Sequence, residues 1–282
     1  MPSIAELTIY PVKSCAGIAL TEAVITASGL SYAGVSDREW MLVDERGLFL
    51  TQREYPRMAC LRITIAADTL QIDTDKMETL CIPLAANKEV KQIKVQVWDT
   101  EIIADDAGDT AANWFSQALA TKCRLVRFSA QAQRYANTKW TGDTLAPTRF
   151  ADGYPLLLIA QASLDDLNRR ALAQGRHALP MNRFRPNIVI DGVEAFEEDY
   201  AASYRLDNGL QLRPVKPCPR CPIPAIDQVT GEIGESPLDI LQSYRANPIV
   251  DGEITFGMNV ILDHGAGLMV RVGDEIDMPI AF

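Results

Sequence analysis

The amino-acid sequence predicts a mostly β fold of the α+β class, in which antiparallel sheet closes towards a barrel with helices on its flanks. Many apolar runs are short, and residues 92–98 alternate apolar and polar side chains in the way a half-buried strand does. Residues 44–47 (Asp-Glu-Arg-Gly) have the composition of a hairpin loop between two such runs. Helical periodicity is confined to a few segments, so barrel-like antiparallel sheet is favoured over a parallel α/β fold.

The individual elements follow from the same patterns. Asp109 is a candidate N-cap, residues 163–166 resemble a capping box, and Pro237 suits the first turn of a helix. Helices are therefore predicted over 109–120, 163–174 and about 237–244, and residues 129–150 are expected to form a surface excursion. Strands are predicted over 4–10, 20–26, 40–43, 48–51, 60–66, 70–74, 92–98, 102–104, 125–128, 156–159, 187–190, 204–206, 210–214, 254–262 and 268–276.

Composition excludes several classes of protein. The 282 residues carry a formal net charge of −10, which argues against nucleic acid or an anionic membrane as a partner. The six cysteines are too scattered for a secreted disulfide framework, and the N-terminus has no signal-peptide pattern. No apolar run is long enough to span a membrane. A cytoplasmic protein with no membrane partner is expected.

The segment 216–222 (Lys-Pro-Cys-Pro-Arg-Cys-Pro) is the first candidate site. Its prolines remove amide N–H groups and fix φ, so it is predicted to be a stiff, extended loop and not the helix start that a thioredoxin-type pair needs. A structural zinc site normally needs four ligands, and no second close cysteine pair is present. A thiolate beside Arg220 suits a soft metal that an anionic cofactor carries. A zinc-knuckle binding module remains the alternative.

Other basic residues could complete an anion-binding pocket. Arg183 and Arg185 would share one face if the entry into the strand at 187–190 is extended, and guanidinium groups bind phosphate well. An ordinary surface pair matched to carboxylates explains the same pattern. Lys13 and Arg38 lie at predicted strand ends, and Gly153 would allow close approach of a ligand to the backbone. Motifs of dinucleotide-binding proteins, NTPases, zinc proteases and serine hydrolases are absent from the sequence.

Five short segments together resemble the MOSC-domain proteins, which are named for the C-terminal domain of molybdenum-cofactor sulfurases. The branch that looks most similar is the mitochondrial amidoxime-reducing component with its bacterial relatives. The matching segments occur in the family's order and span nearly the whole chain. They are residues 10–15 (Tyr-Pro-Val-Lys-Ser-Cys), 37–40 (Asp-Arg-Glu-Trp), 152–155 (Asp-Gly-Tyr-Pro), 182–187 (Asn-Arg-Phe-Arg-Pro-Asn), and 218–221 (Cys-Pro-Arg-Cys) followed by 227–231.

The resemblance implies a MOSC-type β-barrel over residues 125–282, preceded by a β-rich region over 1–124, of which 1–38 could pack with the MOSC core. It also implies a pyranopterin molybdenum cofactor whose metal is bound by Cys221, with Cys218 as a non-ligand. Arg183 and Pro219 lie inside the matching motifs. The positions implied to hold the cofactor are Lys13, Ser14, Arg38, Arg185, Asn187 and Arg220, less strictly Gly153 and Tyr154, and more weakly Asn259.

The activity that the resemblance implies is molybdenum-dependent reduction of N-hydroxylated compounds, such as amidoximes, hydroxylamines and base analogues, in a detoxifying role. The rival reading is a non-catalytic carrier of the cofactor or of its sulfur. Several bacterial relatives carry a C-terminal ferredoxin domain, whereas this sequence ends at Phe282 without a four-cysteine cluster. No iron–sulfur cluster is therefore expected, and electrons would come from a separate ferredoxin or flavoprotein unless the chain is a fragment. No proton donor is assigned, because Asp152 and Asp227 are near the motifs in sequence but either could be structural, and pyridoxal phosphate is not expected as a ligand.

Overall fold

The computed structural model describes residues 1–75, 77–85 and 90–281, and the mostly β prediction is confirmed. The helices are α1 (Asp109–Leu119), α2 (Thr138–Thr141), α3 (Gln161–Ala173) and α4 (Leu238–Gln242). The strands are β1 (Ser3–Ile9), β2 (Ile18–Leu20), β3 (Glu22–Thr26), β4 (Gly29–Tyr32), β5 (Val35–Ser36), β6 (Trp40–Val43), β7 (Arg62–Ala66), β8 (Thr69–Asp73), β9 (Leu80–Pro83), β10 (Gln92–Val97), β11 (Thr100–Asp106), β12 (Arg124–Phe128), β13 (Leu156–Ala160), β14 (Ile188–Asp191), β15 (Tyr204–Arg205), β16 (Gln211–Pro219), β17 (Ala246–Asn247), β18 (Glu253–His264) and β19 (Met269–Arg271).

The largest sheet has eight strands in the order β15-β16-β18-β13-β14-β1-β2, with β17 paired to β18. Its neighbours are antiparallel except for β13 and β14, which are parallel because α3 forms the crossover between them. One face buries Leu158 and Ile190 in the main core, and the other packs against α3 and α4 through Ile159 and Phe256. The end of β1 therefore lies beside the start of β14, whereas β18 and β13 lie between β14 and β16.

Three smaller sheets complete the fold, in the orders β10-β11-β12-β6, β7-β8-β9 and β19-β3-β4-β5. Phe115 of α1 and Trp40 of β6 belong to the core between α1 and the sheets of the first half of the chain. Strand β12 pairs with β6 and β11, whereas β1 pairs with β14 of the second half. Strand β1 of the first half is therefore part of the large sheet of the second half, and β12 is part of a sheet of the first half. The domain boundary at residue 124 stays a prediction.

Several predicted elements differ from the structure. Residues 48–51 form only isolated bridges, and the strand predicted over 268–276 is reduced to β19, since Gly273 turns the chain with φ of +93°. The cap of α1 is Gly108 and not Asp109, which becomes the first helical residue. The prediction that 216–222 forms an extended loop is wrong for 216–219, which end β16 and pair irregularly with β18. Proline interrupts the ladder there because it has no N–H to donate.

No helix of the described ranges is long and apolar enough to cross a membrane.

A buried carboxylate lies behind the large sheet. Glu198 is fully buried, and the hydroxyl of Ser163 donates to its two carboxylate oxygens at 2.7 and 2.8 Å. The amide of Ala160 donates to the same group at 3.2 Å. Burial, together with the neighbouring charge of Asp199, raises the pKa of Glu198 to about 7. The folded protein therefore binds this proton more tightly than the unfolded chain does.

Glu198→Gln should remove a pH-dependent loss of stability. The favourable contribution of a raised carboxyl pKa is fully present below the unfolded pKa, and it is lost as the pH rises through the folded pKa of about 7. Between about pH 4 and about pH 8, the stability of the variant relative to the wild type should rise by about 3 kcal/mol. Urea unfolding at each pH measures it. Glu197→Gln, on the same turn but partly exposed, is the control, and an equal change in both variants would contradict the prediction.

Candidate functional site

Two guanidinium groups lie against one buried aromatic ring at the end of β1. The guanidinium carbon of Arg185 is 4.2 Å from the centroid of the Tyr10 ring, and that of Arg38 is 4.5 Å from it. A cation over an aromatic face is favourable, and the gain grows when the pair is desolvated. Burial raises the pKa of Tyr10, so its phenol is neutral and does not cancel either charge. The ring therefore holds two cations that repel each other.

Arg38 has a carboxylate partner. Its Nη1 forms an ion pair with Asp37 and donates to Oδ1 of Asn187 at 3.1 Å. The amide of Asn187 donates in turn to Asp37 at 3.0 Å and to the carbonyl of Thr8 at 3.1 Å. Since Asn187 begins the segment that becomes β14, this network fixes Arg38 between β1 and β14.

Arg185 lacks such a partner among the described residues. Its Nη1 donates to Oε1 of Gln228 at 3.1 Å, while its buried Nη2 has no hydrogen-bond partner. The side chain is only 9% exposed, and burial, together with the charge of Arg38, lowers its pKa. Its backbone has φ of +57°, although a residue before proline, here Pro186, normally adopts an extended conformation. A buried, unmatched cation on strained backbone is expected where an anion binds.

Arg183 does not share a face with Arg185, which corrects the prediction from strand alternation. Met181–Arg183 form a 3₁₀ turn, so the segment is not extended there. The Nη2 of Arg183 pairs with Asp227 at 2.8 Å, and its Nη1 donates to the carbonyl of Ala225 at 3.1 Å. Most of this guanidinium therefore anchors the chain that follows the cysteine segment.

Lys13 supplies a third buried cation. Its Nζ donates to the carbonyl of Phe150 at 2.9 Å and to Oδ1 of Asp152 at 2.5 Å. Burial lowers the pKa of Lys13, although Asp152 opposes this, and the charges of Arg134 and Arg38 lower it further. The Lys13 ammonium beside it holds the pKa of the Asp152 carboxyl well below its ordinary value.

The carboxyl groups of Asp152 and Asp227 are both deprotonated near neutral pH. The amides of Thr230 and Val229 donate to Asp227 at 2.9 and 2.8 Å, and these bonds hold its pKa below the ordinary value. Asp152 is anionic for the reason given above. Both carboxylates are acceptors in this structure.

A pair of amides joins Ser14 to Arg185. Gln52 donates to the carbonyl of Ser14 at 2.7 Å, and it exchanges hydrogen bonds with Gln228 at 3.1 and 3.0 Å. Gln228 is the acceptor for Arg185, so the Ser14 turn and the Arg185 turn are held together. No sequence pattern points to Gln52, because a single glutamine is not part of any recognisable motif.

The cysteine segment is docked on the arginine segment. The backbone N–H of Arg220 donates to the carbonyl of Ile254, and its Nη2 donates to the carbonyl of Phe184 at 2.8 Å. Its Nη1 lies 3.3 Å from the sulfur of Cys218. Cys221 follows at once, partly exposed and with a free thiol, beyond Pro219 at the end of β16. Cys221 thus directly follows Arg220, whose guanidinium binds the carbonyl of Phe184, the residue before Arg185.

Three predicted residues lie outside this hydrogen-bonded set. Gly153 has open space where a Cβ would lie, and Asn259 donates to the carbonyl of Lys216 at 3.2 Å. Tyr154 packs against the cluster of Ala136, Ala146 and Ile261, and burial raises its pKa to about 12. In the part of the chain that the structure describes, no hydrogen bond or ion pair joins these three predicted residues to Arg38 or Arg185.

Arg134 is a site residue that sequence reasoning missed, because it lies in the weakly patterned stretch 129–150. Its Nη1 donates to the carbonyls of Arg149 and Ala151, at 3.0 and 2.5 Å, and its Nη2 donates to that of Asp152 at 2.7 Å. This one side chain shapes the turn that presents Asp152 to Lys13. The stretch is therefore partly a support for the site.

An anionic, metal-bearing cofactor fits the donor set. Arg183 Nε, Arg185 Nη2 and Arg220 Nε are buried and lack partners among the described residues, and all belong to one set of contacting segments. Orphaned guanidinium nitrogens of this kind suit phosphate oxygens, which accept charge-assisted hydrogen bonds.

The chain matches two domain families, the MOSC N-terminal beta barrel domain over residues 1–122 and the MOSC domain over 146–277. It is 36% identical to human mitochondrial amidoxime reducing component 2 over 283 residues, 97% of this chain and 82% of that protein. It is 32% identical to mouse mitochondrial amidoxime-reducing component 1, over 97% of this chain and 81% of that one.

Two further similarities are more distant. Bovine molybdenum cofactor sulfurase is 29% identical over 97% of this chain but only 32% of its own length. The crystal structure of the YUAD protein from Bacillus subtilis covers 98% of this chain and 94% of its own, with 12% identity and a TM-score of 0.40.

Arg185→Met should stabilise the protein when no cofactor is bound. Methionine fills the space without an unmatched buried charge, so the free energy of unfolding should rise by about 1 kcal/mol. Arg183→Met, two residues away, is the matched control. It breaks the pair with Asp227 and should cost about 2 kcal/mol. Urea unfolding of cofactor-free protein measures both. A similar loss from both substitutions would show that Arg185 is a structural cation.

Proposed function

This chain belongs to the family of proteins that join a MOSC N-terminal β-barrel domain to a MOSC domain, and on that premise we propose that it is a molybdenum-cofactor-dependent reductase of N-hydroxylated compounds. The observation that carries the proposal is Arg185, a buried guanidinium with an unpaired nitrogen that shares the Tyr10 ring with Arg38. The relatives that match over 97% of the chain are named amidoxime reducing components, which supports the reaction class.

The residues have separate roles in this proposal. Arg185, Arg38 and Lys13 neutralise and orient the anionic part of the cofactor, with Ser14, Asn187 and Arg220 as neighbouring donors. Cys221 offers the thiolate that binds the metal, a soft ligand suited to it. The cofactor supplies the redox chemistry when bound, and the protein supplies its position and electrostatics. The burial of Lys13 and Arg185 also keeps bulk water from these anchoring groups.

Loss of the N-bound oxygen as water consumes two electrons and two protons. Asp152 and Asp227 are held in the anionic form, so they orient donors and do not supply these protons. Solvent at the exposed side of Asp152, whose side chain is 70% exposed, is the proposed proton source. A separate ferredoxin or flavoprotein is the proposed electron donor, and the proposed location is the cytoplasm.

A carrier of the cofactor or of its sulfur is the second candidate. The similarity to bovine molybdenum cofactor sulfurase favours it, and the same arginines would hold the group in transit. Metal-loaded protein given benzamidoxime and a chemical or flavoprotein donor separates the two. Turnover supports the reductase, and fully loaded protein without turnover supports the carrier.

Cys221→Ser should abolish benzamidoxime reduction and leave the fold intact, because a serine hydroxyl is a poor ligand for a soft metal. Cys218→Ser is the matched control and should keep most of the activity. The Cys218 sulfur meets Arg220 Nη1, and a hydroxyl can accept that bond. Activity, molybdenum content and circular dichroism are measured on each variant. Equal loss of activity in both would indicate a paired-thiol site.

A further inference from the structure

Trp98 occupies an unusual position at the tip of a hairpin. It begins the two-residue turn between β10 and β11, and its backbone has φ of +52°. Turns of this kind favour Asn and Gly, because positive φ is strained for a bulky side chain. Such strain persists only where other contacts stabilise the conformation. The contacts of Trp98 therefore indicate which residues stabilise this turn conformation.

Those contacts cross from the first domain to the candidate site. The indole N–H donates to Oδ1 of Asp152 at 3.2 Å, and Phe49 meets the indole edge-on at 5.0 Å between centroids. The guanidinium carbon of Arg53 lies 4.9 Å from the indole centroid, and Arg53 itself is exposed. Trp98 nevertheless stays 42% exposed. The indole thus forms an aromatic rim beside Asp152.

Asp152 has an open side next to this rim. Lys13 and Trp98 both donate to Oδ1, so Oδ2 accepts no hydrogen bond from the described residues. The carboxylate side chain is 70% exposed. A Cβ on Gly153, the next residue, would meet no atom within 4 Å. There is consequently space for a ligand that reaches both the free carboxylate oxygen and the indole.

We propose that Trp98 and Asp152 form a substrate subsite for planar aromatic amidoximes and their amidine products, an inference that rests on the proposed function. Stacking on the indole would hold the aromatic ring, and Oδ2 of Asp152 would accept an N–H from the amidine-like group. Arg53 shows that the indole accepts a planar group over its ring, because its guanidinium already lies there. An amidine is the same kind of planar, delocalised C–N group as a guanidinium.

The test compares an aromatic with an aliphatic substrate in Trp98 variants. With the cofactor-loaded enzyme, Trp98→Ala should raise the KM for benzamidoxime about tenfold and change that for acetamidoxime less than about twofold. Trp98→Phe keeps a ring and should raise the benzamidoxime KM by about two- to threefold. Trp114→Phe is the matched control. It removes an indole on α1 that donates to the carbonyl of Glu78, and it should leave both KM values unchanged.

Calorimetric binding of benzamidine separates the subsite from the reaction, since it needs no turnover. Trp98→Ala should weaken this binding about tenfold, with acetamidine as the aliphatic comparison. If the wild type reduces neither amidoxime, the proposed function fails, while a binding loss specific to benzamidine still supports the subsite. Equal changes for aromatic and aliphatic ligands would show that Trp98 only positions Asp152. Unchanged benzamidine binding would overturn the inference outright.

Discussion

The site depends on two guanidinium groups that share one buried phenol ring while only one of them has a carboxylate. Asp37 balances Arg38, and Tyr10 separates Arg38 from Arg185 without contributing charge. Desolvating a cation without a counter-ion is costly, so the surrounding fold must hold Arg185 in place. Its positive φ before Pro186 shows that the backbone is held there as well. This unbalanced charge is the physical basis of the proposed anion site.

The fold supports that charge by joining distant segments. Tyr10 and Lys13 come from the chain after β1, Arg38 from the turn before β6, and Arg185 from the turn before β14. Asn187 and the Gln52–Gln228 pair connect these turns through amides. Amides can bridge cations and carbonyls without adding charge, so they position the site and leave its net positive charge unchanged. The pocket is positive although the whole chain carries −10.

The two domains contribute different chemistry. The second domain provides the thiol segment with Arg185 and Arg220, whereas the first domain provides Lys13, Arg38 and, on a hairpin, the aromatic side chain of Trp98. Asp152 joins the two, because Lys13 and Trp98 donate to the same oxygen. In the proposed function, anchoring of the cofactor and selection of the substrate would therefore fall to neighbouring groups that can vary separately.

Local periodicity and side-chain chemistry are enough to predict the mostly β class, most strands, the cationic residue types and the proline-flanked thiol segment. The sequence could not separate the roles of Arg183 and Arg185, since strand alternation fails in a 3₁₀ turn and the partner Asp227 lies far along the chain. The roles of Gln52, Arg134 and Trp98 could not be predicted from the sequence either. Their roles depend on hydrogen bonds between segments distant in sequence, and only the tertiary structure brings those segments into contact.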